Sequence, residues 1–153
     1  MTPVTVCALD KTYLSDAVAL SLSVFGGTEA SCRASFENGA NRFFAAVCDG
    51  CFVGFGGYSV AADQADVIDV AVAPLYRRRG IARMLMEKML TDAAAHGACD
   101  VFLEVRASNE GAIALYTSLG FTPCGVRKNY YANPREDAVL MTCPIGTLSF
   151  TMT

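Results

Sequence analysis

Apolar residues change their spacing several times along the chain, and each change marks the start of a new element. Val4 to Leu9 alternates weakly, the two-residue period of a strand with one covered face. Thr12 or Ser15 can then cap a helix running through Ala17 to Val24, and Phe25-Gly26-Gly27 ends it. Thr28 to Glu37 reads as a second, short helix. A strand period returns from Arg42 to Cys48 and opens a meander of three antiparallel strands, with turns at Asp49-Gly50 and near Asp63-Gln64. The most apolar stretch, Cys51 to Ala62, reads as a buried strand. The third member, Asp66 to Ala73, stops at Pro74, which has no amide hydrogen for a ladder and disfavours helix in the residue before it.

From Gly80 to His96 the period becomes helical. Ile81, Leu85, Met89 and Ala93 recur on one face, and Gly97 supplies a C-terminal stop. Asp100 to Arg106 is again a strand. Ser108 or Asn109 caps a helix in which Ala112, Leu115, Tyr116 and Leu119 share a face, and Gly120 ends it. Phe121 to Val126 and Asp137 to Cys143 supply two last strands. The order is strand, two helices, three strands, helix, strand, helix, two strands, which is a mixed α/β layer structure. No repeat or linker interrupts it, so residues 1–145 are expected to form one domain, and the tail 146–153 carries no signal of its own.

Composition narrows the class. A chain of 153 residues with 53% apolar content is the size of one domain with ample core. Its 12 Lys and Arg against 15 Asp and Glu give a net charge of −3, which offers no basic field for a nucleic-acid backbone. The apolar run is interrupted by Gly54, Gly56 and Gly57 and falls short of the roughly 20 residues that span a bilayer, so no membrane association is expected. Met1 to Asp10 has no basic region followed by an apolar run and a cleavage site, and a cytoplasmic location is expected. Seven cysteines are present, and Cys48 and Cys51 form a C-x-x-C. Asp49-Gly50 between them is a type I′ hairpin signal that puts the two on facing strand ends, and no helix follows as a thioredoxin-like motif requires. With one histidine the expectation is buried, reduced thiols and no metal site.

The chemistry concentrates in two places. Leu75-Tyr76-Arg77-Arg78-Arg79-Gly80-Ile81-Ala82 joins a strand to a helix. A loop entering a helix points free N–H groups outward, and Gly80 and the small Ala82 keep their approach open, so a diphosphate can sit there. Three arginines at a helix start oppose its dipole and call for a compensating anion. The pattern is neither a Walker loop nor G-x-G-x-x-G. It resembles the R/Q-x-x-G-x-G/A loop of the GCN5-related N-acetyltransferase (GNAT) family, as Arg77-x-x-Gly80-x-Ala82. That resemblance implies a central, mostly antiparallel seven-stranded sheet flanked by about four helices. It implies acetyl-CoA as cosubstrate, its pyrophosphate held by the loop Arg77, Arg78, Arg79, Gly80, Ile81 and Ala82. The backbone of Val70 and Val72 would meet the pantetheine arm, Val70 would polarise the thioester carbonyl, and a β-bulge would splay this strand.

The second place is Leu103-Glu104-Val105-Arg106-Ala107-Ser108-Asn109, followed by Ala114-Leu115-Tyr116 and Leu119-Gly120-Phe121. Taken singly, Glu104 is a solvated strand carboxylate, since it points opposite to Leu103 and Val105, while Tyr116 is a packed ring and Asn109 a cap. Together, and with Asn129-Tyr130-Tyr131 and Arg135-Glu136-Asp137-Ala138, they resemble the N-terminal acetyltransferases of the same family, above all the RimI type that acetylates a ribosomal protein alanine. The resemblance implies Glu104 as general base through a water, Tyr116 as proton donor to the coenzyme A sulfur, Asn109 on the pantetheine arm, and Tyr130 and Tyr131 at the substrate entrance. It implies a protein N-terminus as partner, the alanine end of ribosomal protein bS18 foremost, and a monomer or weak dimer. The chain departs from that group where it reads Phe25-Gly26-Gly27-Thr28 for F-P-W-S, has no tryptophan, and has a shorter Ala132-Asn133-Pro134 loop. A small amine such as a polyamine or antibiotic as acceptor, or a coenzyme A-binding sensor without turnover, stand as alternatives.

Overall fold

The computed structural model describes residues 3–146, so all but the first residue of the expected tail 146–153 lies outside them. Seven strands and four helices follow the expected order. They are β1 (Val4–Ala8), α1 (Leu14–Phe25), α2 (Glu29–Glu37), β2 (Asn41–Cys48), β3 (Cys51–Ala61), β4 (Gln64–Val72), α3 (Ile81–Ala95), β5 (Asp100–Arg106), α4 (Glu110–Ser118), β6 (Thr122–Ala132) and β7 (Arg135–Pro144). The strands make one sheet in the order β1-β2-β3-β4-β5-β7-β6. Its β4–β5 pair is parallel, and the pairs β1–β2, β2–β3, β5–β7 and β6–β7 are antiparallel. This is the mixed α/β order read from the chain and the mostly antiparallel seven-stranded sheet that the family resemblance implied. The chain gathers into two compact units, one from the chain up to Ser59 with Ile68–Met89, the other from Val60–Val67 with the chain from Leu90 onward.

In the first unit, β1 runs along β2 from Val4 opposite Cys48 to Ala8 opposite Phe44. The β2–β3 turn has φ of 54° at Asp49 and 78° at Gly50, the two left-handed residues a type I′ turn demands, and it sets Cys48 against Cys51 as expected. Ala17 and Leu20 of α1 pack on Phe43, Phe55 and Ala71, with Phe36 of α2 laid 4.6 Å from the Phe43 ring and 5.1 Å from that of Phe55. Burying each such ring contributes about 1.5–3 kcal/mol, so this cluster dominates the unit's packing. The glycines of β3 make the close approach possible. A Cβ on Gly54 would lie 2.8 Å from the Ala71 carbonyl oxygen, one on Gly56 2.7 Å from Met89 Sδ, and one on Gly57 would enter the Phe43 ring. Thr28 caps α2 with a capping box, Ser31 N donating to its Oγ1 at 3.1 Å. The α1 cap is a correction. Tyr13 occupies it with no side-chain hydrogen bond, and neither Thr12 nor Ser15 serves, because the Thr12 amide is drawn instead to Asp10 Oδ1 at 2.9 Å.

In the second unit, Gln64, Ala65 and Asp66 pair with Asp100, Val101 and Phe102, and β5 pairs with β7 along its whole length. Leu103, Val105, Ala138 and Met141 are buried with Phe121. The last hairpin is longer than expected: β6 runs on past Val126 to Ala132 and β7 begins at Arg135, leaving only Asn133-Pro134 as the turn. Residues 127–130 are exposed, so no alternation of apolar and polar positions announced the extension. Cysteine burial is also corrected. Cys32, Cys48 and Cys143 are buried, whereas Cys7, Cys51, Cys99 and Cys124 are exposed. No helix among the described residues is long and apolar enough to cross a membrane.

Candidate active site

In the first unit β4 ends at Val72, and a short 3-10 helix over Pro74–Tyr76 carries the chain toward α3. Proline suits the first position of that turn, where no amide hydrogen is needed. Arg78 at φ 62° and Gly80 at φ 78° are left-handed, which turns the intervening amides toward one side before the first helical bond, Met84 N to Gly80 O at 3.1 Å, closes. Nothing lies within 4 Å of a Cβ built on Gly80, and no acidic residue occupies the first turn of α3. The helix start therefore has open space at Gly80 and no acidic residue in its first turn, where helix amides and dipole favour an anion. Arg77 Nε donates to the Val72 carbonyl at 3.0 Å, pinning the loop to the end of β4. Arg78 and Arg79 are exposed, with the Arg79 guanidinium 5.1 Å from the Tyr76 ring centre. Val70 is half-buried and Val72 and Ile81 are buried; Ala82 is half-buried. The open, basic, anion-free terminus fits a diphosphate.

In the second unit Glu104 stands on the face of β5 opposite buried Leu103 and Val105. Its Oε2 is 3.4 Å from Arg127 Nε, and the Tyr130 hydroxyl donates to it. That hydrogen bond, followed by burial, raises the Tyr130 phenol above its usual range, while burial and then the Glu104 charge raise Tyr131. Both phenols hold their protons at neutral pH. The two rings meet edge to face at 5.1 Å. Glu104, Arg127 and Asp66 line a hollow of about 140 Å³ together with Val67 and Leu103. Glu104, Tyr130 and Tyr131 are thus brought together. Asn109 and Tyr116 are placed on α4: Asn109 caps it, its Oδ1 accepting from Ala112 N at 3.1 Å, and the Tyr116 ring packs 5.9 Å from Phe121.

Three supporting residues had been given no role, although Arg106 and Glu136 stand in the motifs quoted above. Arg127 reaches Glu104 from the opposite side of β7. Arg106 spans to the hairpin, donating to Pro134 O at 3.0 Å and Asn133 O at 3.3 Å while lying 4.3 Å over the Tyr131 ring. Glu136 accepts from Ser108 N at 2.5 Å and from Arg106 at 3.3 Å. The hydrogen bonds from Ser108, and after them Arg106, hold its carboxyl below the ordinary glutamate range. Each pairing joins residues more than 20 positions apart, which only the strand order reveals. Among the described residues no group of His, Cys, Asp and Glu could hold a metal ion.

The chain belongs to the acetyltransferase (GNAT) family, whose model matches residues 16–121. Within it the chain is similar to the ribosomal protein bS18-alanine N-acetyltransferase of Salmonella typhimurium, 46% identical over 89 residues that cover 57% of this chain and 60% of that protein. It thus spans less than two thirds of that relative. It is also similar to N-alpha-acetyltransferase RimI of Mycobacterium tuberculosis, 34% identical over 147 residues and 91% of each chain. The crystal structure of the ribosomal-protein-S18-alanine N-acetyltransferase from Escherichia coli matches with a TM-score of 0.86 at 34% identity, over 94% of each chain.

Proposed function

We propose that this chain is an acetyl-CoA-dependent N-acetyltransferase of the cytoplasm, that residues 1–145 act as one catalytic domain, monomeric or weakly dimeric, and that the acceptor is the α-amine of a protein N-terminus, the alanine of ribosomal protein bS18 foremost. The observation that carries it is Glu104, a strand carboxylate turned away from the core and hydrogen-bonded by the Tyr130 phenol, in a chain similar over 91% of its length to an N-alpha-acetyltransferase. Acetyl-CoA supplies the activated acetyl group as a thioester. The amides around Gly80, with Arg78 and Arg79, hold its diphosphate, and Arg77 acts through the Val72 carbonyl to fix the loop. Ile81 and Ala82 give the first amides of the helix. The backbone of Val70 and Val72 and the Nδ2 of Asn109 bind the pantetheine arm. Glu104 takes a proton from the acceptor amine through a water, and Tyr116 gives one to the departing sulfur. Tyr130 and Tyr131 border the acceptor.

Nucleophile availability favours an α-amine. With a pKa near 7.9 it is roughly a quarter neutral at pH 7.5, whereas a lysine near 10.4 is neutral about once in a thousand, a difference of about 3 kcal/mol. A single carboxylate acting through water serves the first more readily. The test is an alanine-starting peptide with an internal lysine, analysed by intact and tandem mass spectrometry. Acetyl on residue one is expected; acetyl confined to the lysine side chain refutes the acceptor. In the same assay Tyr116→Phe at saturating substrate lowers turnover about 10²- to 10⁴-fold, and an unchanged rate removes Tyr116 from the chemistry.

A further inference from the structure

Within the first unit, residues of α1, α2, β2 and β4 line a half-open pocket of about 190 Å³ that the chemistry above does not use. A single water needs on the order of 10–15 Å³ of such space, so the end of a long side chain fits. Asp69 of β4 faces it together with Ser21, Ser31, Ser35, Phe36 and Phe43. Among the described residues no hydrogen bond or ion pair reaches the Asp69 carboxylate. The only other titratable group lining the cavity is Cys32, whose thiol donates to Ser21 Oγ at 3.6 Å; the lining residues of α1 and β2 carry no charge. A half-buried carboxylate with no cation is an electrostatic imbalance that a ligand of opposite charge would relieve, and the Phe36 and Phe43 rings add a surface that attracts cations.

We infer that this cavity binds an organic cation, the ammonium or guanidinium end of a basic side chain, and that Asp69 is its anionic partner. Ser21 and Ser35 offer hydroxyl oxygens to its remaining N–H groups. Asp69 directly precedes Val70 in β4, so on the acetyltransferase reading, which this assignment of the ligand's source rests on, the basic residue belongs to the acceptor polypeptide and lies near its N-terminus. Burial pushes the Asp69 carboxyl from 3.8 up to about 6. Cation binding therefore strengthens as pH rises through that value and the carboxylate ionises, and the bound cation in turn lowers it.

The test uses the full chain without cosubstrate. Methylguanidinium or n-propylammonium is titrated in while the Asp69 side-chain carboxyl ¹³C signal is followed across pH 4 to 8. A saturable shift is expected, with the Asp69 titration midpoint falling by about one unit, a tenfold preference of the cation for the ionised form. Neutral methylurea should leave the midpoint in place, and Asp69→Asn should abolish binding of both cations. A midpoint that neither cation moves, or that methylurea moves equally, overturns the inference. A second readout compares alanine-starting peptides carrying lysine or norleucine at position two. The kcat/KM ratio is expected to be about tenfold in the parent and near one in Asp69→Asn, and a ratio near one in the parent counts against a cation site for the acceptor. Should no peptide be acetylated at all, the acetyltransferase reading falls while the cation titration still decides the pocket.

Discussion

At Asp69 the folded chain holds a proton more tightly than the unfolded chain, because burial disfavours the charged carboxylate. A raised folded value means that the folded state binds more protons between 3.8 and about 6, so stability falls as pH climbs through that window and stays lowered above it. Asp69→Asn removes the charge and should raise unfolding stability at pH 7 by about 1–3 kcal/mol, with little change at pH 3.5. Urea unfolding at the two pH values checks it, and an equal effect at both would contradict desolvation as the cause. The same substitution would cost the cation its partner, so stability and binding pull in opposite directions. Alternation with Leu103 and Val105 told only that Glu104 points away from the core, and it was the motif around it that singled it out. The strand period puts Asp66 and Asp69 on opposite faces but does not say which of them is covered. Asp66 is exposed, and Asp69 is half-buried in the pocket lined by residues of α1 and α2.

Among the elements, the β6–β7 hairpin shows how placement depends on partners distant in sequence. Its strands are long and mostly polar toward the turn, and what fixes them is Arg106 on the two turn carbonyls and Glu136 on the Ser108 amide at the entrance to α4. Glu136 has a depressed carboxyl, so its contribution is present above the ordinary glutamate value and is lost as pH falls through the lowered one. Glu136→Gln should speed hydrogen exchange severalfold at Ser108 and around the hairpin turn while the buried amides of β5 keep their rates. Unchanged exchange at Ser108 would show that the carboxylate does not hold it. Helix and strand periods were readable wherever one face meets the core, as in α3 and β5. The α1 cap was not, because Tyr13 holds the position without a side-chain hydrogen bond that a sequence pattern could announce.

For the whole molecule, the succession of strands and helices was legible because each element carries its own period. The lateral order of the sheet was not, since β7 inserts between β5 and β6 by pairing Asp100 with Pro144, a contact that no local pattern encodes. The β3 glycines were legible only as gaps in an apolar run. Their geometry sets the paths open to the sequence as it drifts. At Gly56 and Gly57 the obstacle is a side chain, Met89 or Phe43, so a larger residue can enter once that neighbour has become smaller. At Gly54 the obstacle is the Ala71 carbonyl, part of the backbone itself, and no second substitution removes it. In a library that randomises positions 54, 56 and 57 together with 43 and 89 and is selected for folded protein, alanine at 56 should survive paired with a shorter residue at 89. Alanine at 57 should survive beside a smaller residue at 43, and position 54 should stay glycine in every survivor. Two of the three glycines are therefore conditional on their neighbours, and the third admits no compensated route by which selection could replace it.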